Sequence, residues 1–335
     1  MPAVSIITPA WNAAEYIGET IASVRAQTFG DWEWLIVDDG STDATVALVR
    51  EHAAVDGRIV LLEQANAGPS AARNHAMRRA SGRWFAFLDS DDVWQPAFLE
   101  TQLQVFRQHA DTDLVTATAV NRGGPFDGQP TRLRREGYPQ LSLEEMILDE
   151  TSVFIMTVFR REVFETVGGF DESQWTSEDY DFWLRAAQAG FVFRINSEPR
   201  AWYRIRGESL SRQRARMLEG LVTSYRKAAA RARTDSREFG AMLAQANRFE
   251  SELLLERAKV ALEGHDFATA ADLLDALRAR GGSWLVGMTA FLARHVPALA
   301  SLAYRVRGWR PRVRVSPRGH SQTRPAKVGP TLART

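Results

Sequence analysis

The sequence predicts an α/β fold with a helical addition at its C-terminal end. Three observations carry this. Short apolar runs alternate with amphipathic ones over the first 120 residues. A polar, acidic or glycine-containing segment follows each of the first four apolar runs. After about Ser211 the texture turns to Ala, Leu, Arg and Glu at helical spacing. Strand alternating with helix implies a mostly parallel sheet covered on both faces.

Each element follows from its residues. Val4–Thr8 reads as a buried strand and Ala14–Ala26 as a helix with Ile17, Ile21 and Val24 on one face. Glu33–Asp38 is a second strand, and Ser41 is placed to N-cap a helix reaching about His52. Ile59–Glu63 and Trp84–Leu88 are further strands, with the helix Ser70–Ala80 between them. Pro96–Gln108 carries proline at its first turn, where a helix tolerates it, and Leu114–Ala119 is a fifth strand. Arg122–Gln140, rich in Gly, Pro and Arg, is a loop. Beyond it come helix Ser142–Asp149, strand Val153–Phe159, helix Arg161–Val167 ended by Gly168-Gly169, helix Glu178–Ala189 and a last strand, Ala201–Ile205. Leu218–Arg233 and Phe239–Glu263 read as helices. Leu253–Arg280 forms a helix-turn-helix unit about Gly264-His265-Asp266, with Ala268, Ala271 and Leu274 facing a partner helix, and Trp284–Arg307 is amphipathic. Gly308–Thr335 has no acidic residue and is predicted disordered. The expected division is an α/β domain over 1–212, a helical domain over 213–307 and a basic tail over 308–335.

Composition narrows the chemistry. With 45% hydrophobic and 25% charged residues, the 335-residue chain is globular in type. It has no cysteine, which excludes a disulfide scaffold, a thiolate metal site and a cysteine nucleophile. Its six histidines form no HxxxH or HxH pair, which argues against a histidine zinc site. No secretory leader and no run of about 20 apolar residues is present, so a cytoplasmic protein is expected. The net charge of +1 hides a split. Residues 1–212 hold 20 Lys/Arg against 31 Asp/Glu, and residues 213–335 hold 22 against 10. Two parts with different partners are implied, the basic one suited to an anionic surface such as the inner face of the cell membrane.

In an open parallel sheet, ligands sit past the carboxyl ends of the strands. The segments there are Thr8-Pro9-Ala10-Trp11-Asn12, Asp38-Asp39-Gly40-Ser41-Thr42-Asp43, the run from Asn66 to Asn74, and Asp89-Ser90-Asp91-Asp92. No GxGxxG follows the first strand and no GxxxxGK[ST] occurs, so the dinucleotide fingerprint and the P-loop are both missing. Such an edge suits a ligand with hydrogen-bond donors and phosphates, the latter neutralised by a hard divalent cation on paired carboxylates such as Asp89-x-Asp91.

The runs VSIITPAWN, LIVDDGSTD, NAGPSAARN and FLDSDD resemble the four successive signatures of glycosyltransferase family 2, the inverting GT-A class. GGFDE followed by SEDYDFWLR resembles that family's acceptor-side motif, so the resemblance covers about residues 3–211. It implies a GT-A fold, a Rossmann-like sheet flanked by helices. It implies transfer of one sugar, with inversion, from a nucleotide-diphosphate donor (UDP favoured) to a hydroxyl of a glycan or lipid-linked acceptor, in surface polysaccharide biosynthesis. Thr8, Pro9 and Asn12 would then line the base and ribose pocket, and Asp38 or Asp39 would accept a hydrogen bond from base or ribose. Arg73 would approach the diphosphate. Asp89 and Ser90 would face the donor, Asp91 would bind Mn²⁺ or Mg²⁺, and Asp179 would be the catalytic base. One base suffices, because a metal-balanced nucleoside diphosphate leaves as a stabilised anion, whereas glycosidases need two carboxylates. Where the family often has a histidine in a Tyr-Arg-x-His-like run, this chain has Arg206, which can pair with phosphate but cannot ligate a metal. The QxxRW run of processive members is absent.

Plainer readings stand beside these. Glu178, Asp179 and Asp181 also suit a helix start by charge alone. Glu178, Arg206 and Trp175 are candidate phosphate or acceptor contacts, while Trp183 and the histidines read as ordinary core or surface. The stripe Leu285, Met288, Leu292, Val296, Leu299 and Leu302 packs on other helices or, with Arg294, Arg305 and Arg307, lies at an anionic membrane. No aromatic-basic motif supports nucleic-acid binding. The rival functions are a nucleotidyltransferase, which would want a basic glycine-rich loop at Pro9–Asn12, and a non-catalytic nucleotide-sugar-binding or scaffold protein acting through its helices.

Overall fold

The computed structural model describes residues 1–132, 134–205 and 214–296. In chain order the elements of the first half are β1 (Val4–Ala10), α1 (Ile17–Arg25), β2 (Trp32–Asp38), α2 (Thr45–Val55), β3 (Ile59–Glu63), α3 (Pro69–Arg79), β4 (Trp84–Phe87), β5 (Val93–Trp94), α4 (Phe98–Gln108) and β6 (Leu114–Arg122). There follow β7 (Gln140–Leu141), α5 (Leu143–Leu148), β8 (Thr157–Arg160), α6 (Arg161–Val167), α7 (Glu178–Gln188), β9 (Phe193–Arg204), α8 (Arg214–Arg231), α9 (Arg237–Glu263), α10 (Phe267–Ala279) and α11 (Trp284–His295). Arg206, the predicted helix beyond Val296 and the basic tail lie outside the described residues.

The strands form one mixed sheet in the order β3-β2-β1-β4-β8-β6-β9-β5, with β7 also on β9. The four strands on the β3 side are mutually parallel. β8 enters antiparallel between β4 and β6, and β9 returns parallel to β6. The alternating pattern therefore predicts the parallel half, and the α+β texture after residue 150 becomes the mixed half. The core is continuous across the sheet, from Ile6, Trp34 and Ile36 to Phe85, Phe159 and Trp183, all fully buried. Nearly unbroken burial along β1 and β2 reflects coverage on both faces.

Several expectations shift. Ser41 does not cap α2; its hydroxyl accepts the Asn12 N–H, and the helix starts at Thr45. The strand runs Thr157–Arg160, so only Thr157–Phe159 of the predicted Val153–Phe159 joins the sheet; upstream, the Phe154 N–H turns to the Thr116 hydroxyl. The last strand is twelve residues, starting at Phe193 and not Ala201, since Arg and Pro within it masked its period. Ser142 caps α5 with a complete capping box to Glu145.

By its internal packing the chain divides into compact units over 1–256 and 257–335. Leu218, Leu221, Val222 and Tyr225 of α8 share a core with Tyr180 and Leu184 of α7, which ties α8 to the α/β unit. Within the second unit, Leu262, Ala270, Ala271 and Ala293 cluster, as do Ala258, Leu274 and Ala290. Asp266 N-caps α10, and Ala268 faces outward where Ala270 takes the inner position. Small residues of α11 are buried, while Leu285, Met288 and Leu292 are half-buried and Trp284 and Phe291 are 70% and 60% exposed. No described helix is long and apolar enough to cross a membrane.

Candidate active site

The carboxyl ends of β3, β2, β1 and β4 meet at one edge of the sheet. Strand register sets Ala10 beside Asp38 and Asp38 beside Glu63, and Phe87 beside Ile7. The loops after β1 and β2 are stitched together. The Asn12 N–H donates to Ser41 Oγ at 2.9 Å, and Thr42 N–H to Asn12 Oδ1 at 2.8 Å. The Ala13 N–H reaches Thr45 Oγ1 at 2.8 Å. Asn12 sits at φ +46°, a left-handed conformation that asparagine tolerates better than most. Pro9 is half-buried beside it. Thr8 is wholly buried, and its hydroxyl accepts the Trp34 indole N–H at 2.8 Å. Its side chain therefore supports the loop from within.

The paired acids at the end of β2 differ in their bonding. Asp38 accepts the Ser41 N–H through Oδ2, while its buried Oδ1 has no hydrogen-bond partner. Asp39 accepts Gln64 Nε2 and the Ala67 and Gly68 N–H groups, all within 2.9 Å, and so shapes the segment that opens α3. Gly68 stands at φ +89°, and the half-exposed ring of Trp175 lies over it. A Cβ at Gly68 would be 3.4 Å from that ring. Trp175 thus borders the Ala67-Gly68 loop that opens α3.

Arg73 of α3 joins the two halves of the site. Its side chain is 5% exposed, with Nη2 at 2.7 Å from Asp89 Oδ1 and Nη1 at 2.8 Å from Glu178 Oε1. Asp89 opens the turn after β4 and Glu178 is the first residue of α7. The turn is held from beneath. Thr20 Oγ1 lies 3.0 Å from the Ser90 carbonyl oxygen and 2.9 Å from that of Asp92. Arg204 donates its N–H to Asp92 Oδ1 at 2.8 Å and its Nε–H to the Asp91 carbonyl at 2.9 Å. Ser90 is buried, Asp91 is half-buried, and Asp92 is fully buried with Oδ2 unpartnered. Burial pushes the Asp92 carboxyl well up, and the neighbouring Asp91 and Asp89 charges add to this.

Asp179 follows Glu178 in the first turn of α7. One oxygen accepts the Tyr180 N–H at 2.8 Å. Burial raises its carboxyl above the usual range, and the Arg73 charge opposes the rise. Burial, then the Asp179 charge, pushes Glu178 up to about 7 against the pull of Arg73. Ser177, just before them, is left-handed at φ +55°, ψ +25°. For a non-glycine residue that conformation costs roughly 1–3 kcal/mol and persists only where the surroundings impose it.

A divalent cation suits this turn. Among the described residues no cluster of three His, Cys, Asp or Glu is arranged to hold a metal unaided. Mg²⁺-type ions, however, are commonly held by one or two carboxylates with substrate phosphates completing the shell. The turn offers hard oxygen donors, and the buried Asp92 Oδ2 has no hydrogen-bond partner in the protein.

The family profile "Glycosyl transferase family 2" matches residues 5–168. Over 213 residues, 63% of this chain and 82% of the relative, the sequence is 35% identical to a putative teichuronic acid biosynthesis glycosyltransferase, TuaG, of Bacillus subtilis. The chain belongs to glycosyl transferase family 2. This transferase is also 48% identical over 103 residues to WfgD of Escherichia coli, a UDP-Glc:α-D-GlcNAc-diphosphoundecaprenol β-1,3-glucosyltransferase, across 30% of this chain and 40% of that one. It therefore spans most of the first relative and less than half of the second. Its fold is that of S. aureus TarS 1–349 in complex with UDP, with TM-score 0.60, 20% identity and coverage of 90% of this chain and 91% of that one. A mannosyltransferase from Pyrobaculum calidifontis, in complex with GDP-Man and Mn²⁺, matches with TM-score 0.56 and 23% identity over 91% of this chain and 85% of that one.

Sequence reasoning included Asp92 in the Asp89–Asp92 turn without a role of its own, and did not single out Arg204 or Gln64, which bond to that turn and to Asp39. The FLDSDD run could have flagged Asp92 and the Tyr203-Arg204 pair Arg204; nothing local marks Gln64. Arg73, expected at the diphosphate, has both Nη groups on protein carboxylates instead. Trp183 is fully buried among Phe87, Phe159 and Phe182, as the core reading expects.

Proposed function

We propose that this glycosyltransferase moves one sugar, with inversion, from a nucleotide-diphosphate sugar to a hydroxyl of a glycan or lipid-linked acceptor, in surface polysaccharide biosynthesis. The observation that carries the reading is the Arg73 bridge, which joins the Asp89–Asp92 turn to the helix start that bears Glu178 and Asp179. The names of TuaG and WfgD support the polysaccharide setting and a lipid-diphosphate acceptor, and UDP on TarS supports a UDP donor.

On this reading Pro9, Asn12 and Asp38 or Asp39 bind base and ribose. Thr8 holds the loop behind them. Asp89 and Ser90 face the donor, and Asp91 would hold Mn²⁺ or Mg²⁺. Bound there, the cation would neutralise the leaving diphosphate. Asp179 takes the proton from the acceptor hydroxyl as its oxygen attacks the anomeric carbon, on the face opposite the leaving group. Burial raises the Asp179 carboxyl against the pull of the Arg73 charge, which makes it a stronger base than an ordinary aspartate and suits that transfer. Arg73 holds Asp89 and Glu178 in place and favours the ionised form of Asp179. Trp175, half-exposed beside Gly68, is a stacking surface for a sugar. The acidic 1–212 segment carries catalysis, and the basic region after it makes peripheral contact with anionic membrane. The exposed Trp284 and Phe291 and the Arg-rich sequence after them support that contact.

The test is a thermal-shift panel of UDP, GDP, dTDP and CMP, each with and without Mn²⁺. A ligand at about 100 times its Kd stabilises by roughly 2.7 kcal/mol. Mn²⁺-dependent stabilisation by one nucleotide, lost in Asp91→Ala, is expected. Silence of every nucleotide, together with no donor turnover, would favour the scaffold alternative.

A further inference from the structure

We infer that helix α8, which lies outside both resemblance and family profile, is a positioning element of the catalytic apparatus. It holds the left-handed Ser177 and thereby sets the direction of the Glu178–Asp179 pair. The inference rests on the reading of Asp179 as base.

The segment before α7 is bound to α8 residue by residue. Thr176 Oγ1 donates to the Arg216 carbonyl at 2.7 Å, and Ser177 Oγ reaches the Met217 carbonyl at 3.4 Å. Ser224 Oγ lies 3.2 Å from the Ser177 carbonyl oxygen and accepts Gln174 Nε2 at 2.7 Å. The same Gln174 amide lies 3.1 Å from the Thr176 and 3.0 Å from the Ser177 carbonyl oxygens. Lys227 holds Gln174 Oε1 at 3.0 Å and pairs with Asp171. One turn further on, Tyr180 and Tyr225 are hydrogen-bonded at 2.8 Å, and Tyr225 donates to the Ile147 carbonyl at 2.7 Å.

Contact is closest at Gly220. A Cβ there would overlap the Thr176 carbonyl oxygen and lie 2.6 Å from its hydroxyl and 2.8 Å from its carbonyl carbon. Backbone must therefore move if any side chain is added. A glycine in a helix interior is otherwise unfavourable, so its presence in α8 is explained by this approach. Ser177 gains nothing locally from φ +55°, since its hydroxyl makes no cap bond to α7. The conformation is imposed by α8. Rotating Ser177 back to an ordinary helical or extended geometry would swing Asp179, two residues on, away from Arg73.

The experiment compares wild type, Gly220→Ala, Ser224→Ala and the control Gly240→Ala, an α9 position with open space around its Cα. Two readouts are taken on the full chain. The first is amide hydrogen exchange over 174–181 and over the donor loops 38–43 and 66–73. The second is UDP release from the UDP-sugar that wild type turns over fastest, with kcat and donor KM separated. In Gly220→Ala, exchange should quicken over 174–181 alone, and kcat should fall about 10²-fold at unchanged donor KM, as a shift near 1 Å implies. Ser224→Ala should lose roughly three- to tenfold in kcat, the effect of one hydrogen bond. Gly240→Ala should match wild type. Wild-type exchange over 174–181 in both α8 variants, wild-type kcat, or opening of the donor loops and a raised KM in step with kcat would each overturn the inference. If wild type releases no UDP from any donor, the transferase reading fails, while the exchange readout still judges the role of α8.

Discussion

Arg73 is the counter-charge for a crowded group of acids, bonded to Asp89 and Glu178 and next to Asp179, the proposed base. Its charge opposes the burial that raises Asp179 and Glu178. Asp179→Asn should therefore lower transfer about 10²–10⁴-fold while UDP-induced stabilisation persists; equal loss of both would place Asp179 in donor binding instead. With Asp179 as the proposed base, activity should fall as pH drops, with a midpoint above the ordinary aspartate range. Arg73→Met removes the charge that holds this midpoint down, so the acidic limb of kcat should move to higher pH; a limb that stays in place would separate Arg73 from the base. Stability carries its own signature. Between the unfolded value of 4.5 and about 7, folded Glu178 keeps a proton that the unfolded chain releases, so this group's contribution to stability falls as pH rises through that window. Denaturant midpoints across pH, compared with Glu178→Gln, measure it. Asp89, Asp91 and Asp179 were legible as residues, because their motifs are short and contiguous. The Arg73–Glu178 pair was not, since 105 positions separate the partners and no local pattern couples them.

At the scale of elements, the loops that follow the strands are built by cross-bonding, not by local turn preference. Ser41 looked like a helix cap and instead binds the neighbouring loop, because the Asn12 N–H competes for its hydroxyl. Asp39 likewise spends its carboxylate on Gln64, Ala67 and Gly68. This makes Gly68 a joint. With φ +89° and ψ +165° it occupies a region open to glycine alone, so Gly68→Ala should cost roughly 1–3 kcal/mol and weaken UDP binding together. Thermal melting with and without UDP checks this, and an unchanged melting point would show that the loop relaxes freely. Strand β9 was half hidden in the sequence, since its first residues, FRINSEPR, carry no period-2 apolar pattern. They pair because β6 supplies a parallel neighbour, with shifts of register near Thr118.

At the scale of the whole molecule, charge and compactness divide the chain at different places. Charge changes sign near residue 212, yet the first compact unit runs to Glu256. The boundary moved because α8 is basic on its surface but contributes Leu218, Leu221 and Tyr225 to a core shared with α7. The second unit exposes Trp284 and Phe291 on α11. Trp284→Glu combined with Phe291→Glu, in the full chain, should abolish flotation with anionic vesicles and leave UDP-induced stabilisation intact. Flotation at the wild-type level would remove α11 from the membrane contact.

The sequence alone determined the family, the parallel half of the sheet and the acids at its edge. Those properties follow from apolar period and from motifs only a few residues long. Tertiary structure decided which polar side chains are already spent, which acids Arg73 unites, and that α8 belongs with the base-bearing helix. Such facts depend on partners far apart in the chain, brought together by burial of a shared core, and no window of sequence contains both sides of the contact.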